Sequence, residues 1–219
     1  MNVGVLLAAG ASTRMGSAKA TVKWKDRSFL AHGVGALWEA CDVVIVVLGS
    51  QARAVRAAAE AEFGALVERG ALSEMVHRKG SRGLEVHFVV NAGWKKGMLS
   101  SAQVGLAEAL RVGGDAVVVL PVDHPEVKPA TIAHLGETMT EALGAFGRKE
   151  RGAFPYALVP RHKGRRGHPV VISRALATAI GRDRAARDLS DAVRRHARLV
   201  GYLDVADGGV VKNRNTPAR

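Results

Sequence analysis

Residues 42–48 read Asp-Val-Val-Ile-Val-Val-Leu, six apolar side chains in a row with no polar residue between them. A strand with one wet face alternates, because successive side chains point to opposite sides of the sheet. A run without alternation predicts a strand covered on both faces, as in a parallel sheet packed between helix layers. Residues 2–7 and 116–120 are apolar runs of the same kind, and residues 86–90 read as a further strand. Between these runs lie segments with helical character. They are 28–40, with Ser28 placed as N-cap, then 52–67, 100–111 and 129–143. The last opens on Pro129, where a missing N–H costs nothing. Strand and helix thus alternate, which predicts βαβ units and an α/β fold. The expected architecture is a single Rossmann-like three-layer domain over residues 1–219, with a mainly parallel sheet. Right-handed crossovers would bring the strand C-termini to one edge, where ligands of such sheets bind.

The rest of the chain is less regular. Residues 68–85 are charged and glycine-containing, and read as a loop insertion. Residues 144–152 read as a polar linker. Two strands, 156–160 and 170–172, flank a basic loop at 161–168. Segments 175–180 and 184–195 read as helices, 199–205 as a final strand and 208–219 as an irregular tail.

Composition narrows the functional classes. No apolar run approaches the roughly 20 residues needed to span a bilayer. The N-terminal run leads straight into a glycine-rich turn, so it reads as a core strand and not a signal peptide. A cytoplasmic location is the default expectation. The lone Cys41 sits among apolar neighbours and reads as a buried structural thiol. The net charge of +12 raises the question of nucleic acid. However, the charge is spread along the chain, and aromatic residues, 5% of the total, do not interleave with the basic clusters as a single-strand binder needs. An anionic small substrate and a solvated arginine-rich surface explain the charge, so neither nucleic acid nor membrane is expected as a partner. No heptad or long exposed apolar stripe suggests a dimer; a monomer is expected.

The loop after the first strand carries the chemistry. Residues 6–19 (LLAAGASTRMGSAK) hold Gly10 and Gly16, small hydroxyl residues, and two cations at Arg14 and Lys19. Glycines let the backbone approach a ligand closely, and successive N–H groups make an anion nest. An arginine fork and a lysine point charge suit phosphate oxygens. The spacing is neither a Walker A motif nor G-x-G-x-x-G. At this point a resemblance enters. Residues 7–19 closely resemble the signature L-A-[AG]-G-x-S-x-R-M-G-x-x-K of the molybdenum-cofactor nucleotidyltransferases, enzymes of the nucleotide-diphospho-sugar transferase type. The resemblance implies that Leu7, Ala8, Ala9, Gly10, Ser12, Arg14 and Lys19 wrap the triphosphate of an NTP, with Arg14 and Lys19 catalytic.

Four further stretches follow in the family's order. Residues 91–101 resemble the N-x-x-W-x-x-G-M-x-S-S segment of the cytidylyltransferase branch, which implies nucleotide contacts from Asn91, Gly97, Met98, Ser100 and Ser101. Without the family, Ser100 and Ser101 read equally as helix caps, and Trp94 as a packing residue. Asp123 follows a buried strand, where a carboxylate is either a turn former between prolines or a Mg²⁺ ligand. Residues 123–125 resemble the family's D-x-P metal motif, which favours the ligand. Val122 and His124 depart from the usual residues there. His124 is either structural or an acceptor contact. Residues 164–170 resemble the branch's R-G-H-P-V segment, implying that Arg165, Arg166 and His168 meet an anionic acceptor; a solvated basic loop is the other reading. Residues 213–217 resemble [DN]-x-[DN]-T-P, which implies Asn215 as a second metal ligand, while Asp204 and Asp207 read as turn residues. The expected cofactor is Mg²⁺. The expected partners are CTP, ahead of GTP, and a phosphorylated small-molecule acceptor, molybdopterin by resemblance, with a molybdoenzyme or its chaperone downstream; the alternatives are a sugar phosphate or other phosphorylated metabolite as acceptor, or a nucleotide-binding accessory protein without turnover.

Overall fold

The computed structural model describes residues 1–10, 18–68, 85–145 and 154–214. The expectations for Ser12 and Arg14, for most of the 68–85 insertion and the 144–152 linker, and for Asn215 fall outside these ranges. Strands β1 (Asn2–Ala8), β4 (Val43–Leu48), β5 (Val86–Val90) and β6 (Ala116–Pro121) form where the four strands were expected. They lie side by side and parallel in the order β6-β1-β4-β5. Beyond β6 come β9 (Val170–Ser173), β7 (Tyr156–His162) and β10 (Leu199–Asp204). β9 runs against both neighbours, while β7 and β10 are parallel to one another. The sheet is therefore mainly parallel, as expected.

Helices cover both faces. α1 (Phe29–Ala40), α2 (Ala52–Glu68) and α4 (Pro129–Ala145) share one core with the side chains of Leu6, Val46 and Leu120. α3 (Met98–Arg111), α5 (Arg174–Arg182) and α6 (Leu189–His196) share the other with Val5, Val47 and Val119. Neighbouring residues of one strand thus serve opposite cores, which is why these strands show no polar alternation. Ser28 caps α1 as expected, accepting from the Ala31 N–H. No helix among the described residues is long and apolar enough to cross a membrane.

Local structure differs from the sequence reading in four places. α3 starts at Met98, not Ser100, because Gly97 (φ +101°) turns the chain into it; neither serine caps it. The helix expected at 184–195 forms only as α6. Asp183 accepts from the N–H groups of Ala185 and Ala186 in a turn, and Asp188 then caps α6. The basic loop 161–168 is a hairpin: Lys163 and Gly164, both at positive φ, connect the end of β7 to β8 (Arg165–Arg166). A small hairpin of β2 (Lys23–Trp24) and β3 (Arg27–Ser28) precedes α1, turning at Lys25 with φ 57°.

The edge strand β5 is tied to α3 by a charge cluster. His87 Nδ1 lies 2.9 Å from a Glu108 oxygen, and its Nε2 lies 2.8 Å from Glu85. Arg111 donates to both Glu108 oxygens. Arg111 first, then His87, hold the Glu108 carboxyl down to about 2. Glu108 and then Glu85 raise His87 above its ordinary value. A depressed carboxyl contributes stability above its unfolded value near 4.5, and a raised imidazole contributes below its unfolded value near 6.5. The cluster is therefore fully stabilising between these two values. The melting-temperature gap between the wild type and His87→Gln should be widest in that window. It should close as pH rises through the folded His87 value or falls toward that of Glu108. A gap independent of pH would show that packing, not charge, holds the edge.

Candidate active site

The site lies at the C-terminal ends of β1 and β6. β1 sits between β4 and β6, so the chain leaves it to build the sheet in two directions, and a crevice opens where the connections part. The crevice is a cleft of about 320 Å³. Leu7, Ala8, Ala9 and Gly10 line its β1 side, and Pro121, Val122 and Asp123 its β6 side. Lys19 enters from the short turn Lys19–Thr21, and its Nζ donates to Asp123 Oδ2 at 3.0 Å. Each side chain of this pair is 19% exposed, so the pair is screened from bulk water yet open to a ligand.

The Asp123 loop is braced by backbone. Val122 N–H donates to Leu7 O, His124 N–H to Pro121 O, and Arg214 N–H to Asp123 O. Arg214 also grips Glu126, with a shortest contact of 2.7 Å, and stacks on Trp24 at 5.1 Å. The described C-terminal segment therefore clasps the Asp123 side of the cleft.

On the third side, Trp94, Lys95, Gly97, Met98 and Ser101 line the cleft. Asn91 and Ser100 stand behind them. The buried Asn91 amide donates to Ser100 Oγ at 2.9 Å and to Ser101 Oγ at 3.0 Å, and its oxygen accepts from Gly93 N–H. Its geometry is that of a brace holding the turn before α3. Trp94 packs on the core as expected, and also forms cleft wall. Lys95, which lines the cleft, is a functional candidate that the sequence reading passed over; its signal was the Lys95-Lys96 pair inside the N-x-x-W-x-x-G-M stretch.

His124 and His168 meet edge to face, with ring centroids 4.9 Å apart. His124 Nε2 is 3.9 Å from Asp123 Oδ1. Burial lowers the pKa of His124, and burial with the neighbouring His124 lowers that of His168 to about 4. Both rings are neutral at pH 7, and neither Nδ1 has a hydrogen-bond partner among the described residues. Arg165 and Arg166 are exposed on β8, and Arg166 lies over the Tyr202 ring at 5.1 Å. Asp204 pairs with Arg161. Asp207 does more than turn the chain. Its buried carboxylate accepts from Lys128 N–H, Thr131 Oγ and Gly209 N–H.

The donor set bears on what metal the site could take. Among the described residues no group of three His, Cys, Asp or Glu side chains could enclose an ion. One carboxylate at a cleft wall fits a hydrated hard cation that arrives with phosphate oxygens, and not an ion caged by protein alone.

An α/β domain with a phosphate-type loop after β1 and a carboxylate after the neighbouring strand defines a nucleotide-handling class. Residues 4–199 match the model of the MobA-like NTP transferase domain, and the chain belongs to that family. It is a nucleotidyltransferase of that type. It is 30% identical over 210 residues to nicotine blue oxidoreductase of Paenarthrobacter nicotinovorans, covering 93% of this chain and 87% of that one. Rv0371c from Mycobacterium tuberculosis H37Rv superposes with a TM-score of 0.67 at 27% identity, covering 98% of this chain and 92% of the other. A second structure of that protein is a manganese complex, with a TM-score of 0.59 at 24% identity over 93% and 88% of the two chains. Molybdopterin-guanine dinucleotide biosynthesis protein A from Archaeoglobus fulgidus shares the fold, with a TM-score of 0.57 at 19% identity over 99% and 93%.

Proposed function

We propose that this chain transfers a nucleoside monophosphate, CMP in preference to GMP, from an NTP to a phosphorylated acceptor, molybdopterin, and releases pyrophosphate. The observation that supports it most is the Lys19–Asp123 pair, a cation and a carboxylate 3.0 Å apart across one cleft. An acceptor phosphate oxygen attacks the α-phosphorus. A new P–O–P bond forms, the α–β bridging bond breaks, and pyrophosphate carries away the electron pair. An acceptor phosphate is already anionic at neutral pH, so no protein base is needed. The chain's task is positioning and charge neutralisation. Lys19 and Arg14 would offset the β- and γ-phosphate charge. Asp123, with Asn215, would hold Mg²⁺, which when bound supplies charge neutralisation at the α-phosphate and acceptor oxygens. Ala9 and the Arg166-Gly167-His168-Pro169 segment lean toward CTP, while Asn215 leans toward GTP. The product would pass to a molybdoenzyme or its chaperone.

A second reading follows from the 30% identical relative, which is named for oxidoreduction. One panel separates the two. Thermal melts with CTP, GTP, ATP and UTP, each with and without Mg²⁺, should show one NTP stabilising the protein only with the metal. A ligand at 100 times its Kd adds about 2.7 kcal/mol, which moves Tm by several degrees. Stabilisation by NADH or NADPH, with none by any NTP, would sink nucleotidyl transfer and put the oxidoreductase reading first.

A further inference from the structure

Arg214 uses its backbone, the edge of its guanidinium and the face of its guanidinium at once. Its N–H donates to Asp123 O at 2.8 Å. Its Nε donates to Glu126 Oε1 at 2.9 Å, and Nη2 lies 2.7 Å from the same oxygen. Its guanidinium lies over the Trp24 ring at 5.1 Å. Arginine alone joins a planar fork for a carboxylate to a flat cation for an aromatic face. These contacts end on the two walls that carry Lys19 and Asp123. Trp24 follows Lys19 across the turn Lys19–Thr21, which is closed by Thr21 N–H to Ala18 O and Val22 N–H to Lys19 O. Glu126 follows Asp123 in a turn closed by Val127 N–H to His124 O. Both links are short and hydrogen-bonded, so a shift of Trp24 or Glu126 is passed on to its neighbour in the cleft. The β2–β3 hairpin has two residues in each strand, too few to hold a position alone. Outside contacts place it, among them His32 Nε2, 2.9 Å from Trp24 O, and the Arg214 stack.

We propose that Arg214 is a positioning residue. Through Trp24 and Glu126 it fixes the separation of Lys19 from Asp123, and with it the ability of the cleft to hold phosphate and cation together. The proposal rests on the nucleotidyl-transfer reading. The Lys19–Asp123 pair cannot keep the two walls in register by itself. A triphosphate draws Lys19 to its oxygens and a cation draws Asp123, so the ligands that fill the cleft break the pair that spans it. Trp24, Glu126 and Arg214 do not line the cleft, and their contacts stay closed when it fills. None of the three stands among the site residues expected from the sequence, because each acts through a neighbour and not on the ligand. Arg214 lies beyond residue 199, where the family match ends, so the clasp it forms is not part of the matched domain.

Calorimetric titration of CTP, or of GTP where the melts select it, into the whole protein with and without Mg²⁺ reads the effect as a ratio of two affinities. Arg214→Ala should cut the gain in affinity that Mg²⁺ brings by about tenfold. The metal-free affinity should stay within about twofold, because Lys19 alone still meets the phosphates. Trp24→Leu should match Arg214→Ala, and Trp24→Phe, which keeps a ring under the guanidinium, should restore the gain to within about threefold. The double variant Arg214→Ala/Trp24→Leu should be no worse than either single one, since both break the same contact. An unchanged Mg²⁺ gain in Arg214→Ala overturns the proposal. So do losses of equal size with and without Mg²⁺, which mark a merely structural residue, and losses that add in the double variant. If Trp24→Leu does not fold, Arg214→Ala and Trp24→Phe still decide the matter. A wild type that binds no NTP more tightly with Mg²⁺ loses the transferase reading itself, whereas one that does so but is indifferent to Arg214→Ala loses only this proposal.

Discussion

Asp123→Ala should lower turnover by about 10³-fold or more while leaving the fold intact, a loss of about 4 kcal/mol of transition-state stabilisation. The carboxylate is the anion at the β6 wall of the cleft, and its partner across the cleft is Lys19. Removing it takes away the only acidic side chain that lines this cavity among the described residues. Stability should change far less, by about 1 kcal/mol, or a few degrees in Tm, because the pair is partly solvated. Asp123→Asn separates two roles. The amide oxygen still accepts from Lys19, so a purely structural aspartate would tolerate it. A metal ligand that must be anionic would not, and the Mg²⁺-dependent part of the nucleotide melt shift should vanish in both variants. Near-normal turnover in Asp123→Ala would remove Asp123 from the mechanism.

The sheet was legible because β1, β4 and β6, side by side at its centre, have no wet face. Residues 42–48 and 116–120 could be nothing but strands between helix layers, and β1 had to end where Ala8-Ala9-Gly10 begins. The cleft followed from the same logic, since Gly10, Gly97 and Asp123 lie in the connections after the strands, Lys19 in the turn that follows the first of them and Met98 and Ser101 in the first turn of α3, and the fold brings these segments to one edge. Side-chain orientation was not legible. Asn91 belongs to the right loop, yet its amide faces Ser100 and Ser101, a choice set by hydrogen bonds nine and ten residues away.

Short polar turns were misread for a related reason. Asp183 breaks the expected 184–195 helix by accepting from the N–H groups of Ala185 and Ala186, and local hydrogen bonding of this kind leaves no periodic trace. The strand Arg165–Arg166 is too short and too charged to show a pattern, and is defined by the Lys163–Gly164 turn that folds it onto β7. Asp207 looked like a turn former because its partners, Lys128 and Thr131, are far away in sequence.

Gly209→Ala should destabilise the protein by about 1–3 kcal/mol, lowering Tm by roughly 2–12 °C, and should weaken Mg²⁺-dependent nucleotide binding as well. Gly209 lies in the turn Gly208–Val211, which Asp207 caps. A Cβ there would press on the backbone of Glu126, with the carbonyl carbon at 2.5 Å and Val127 N at 2.9 Å. These are main-chain atoms on the loop that carries Asp123, so no rotamer change can relieve the clash. The turn must retreat or the loop must shift. Retreat would stretch the Asp207 bonds to Lys128 and Thr131 and the His168 N–H bond to Val210 O. A shift would move Asp123 relative to Lys19. Gly144→Ala provides the opposite sign. Gly144 lies in the last turn of α4, and a Cβ there meets nothing within 4 Å. That substitution should stabilise by about 0.5–1 kcal/mol through helix propensity and a less flexible unfolded chain, with nucleotide binding unchanged. If both variants melted together with the wild type, the close contact between the 208–211 turn and the Asp123 loop would not hold in solution. The clasp of the C-terminal segment on the active site would then lose its structural basis.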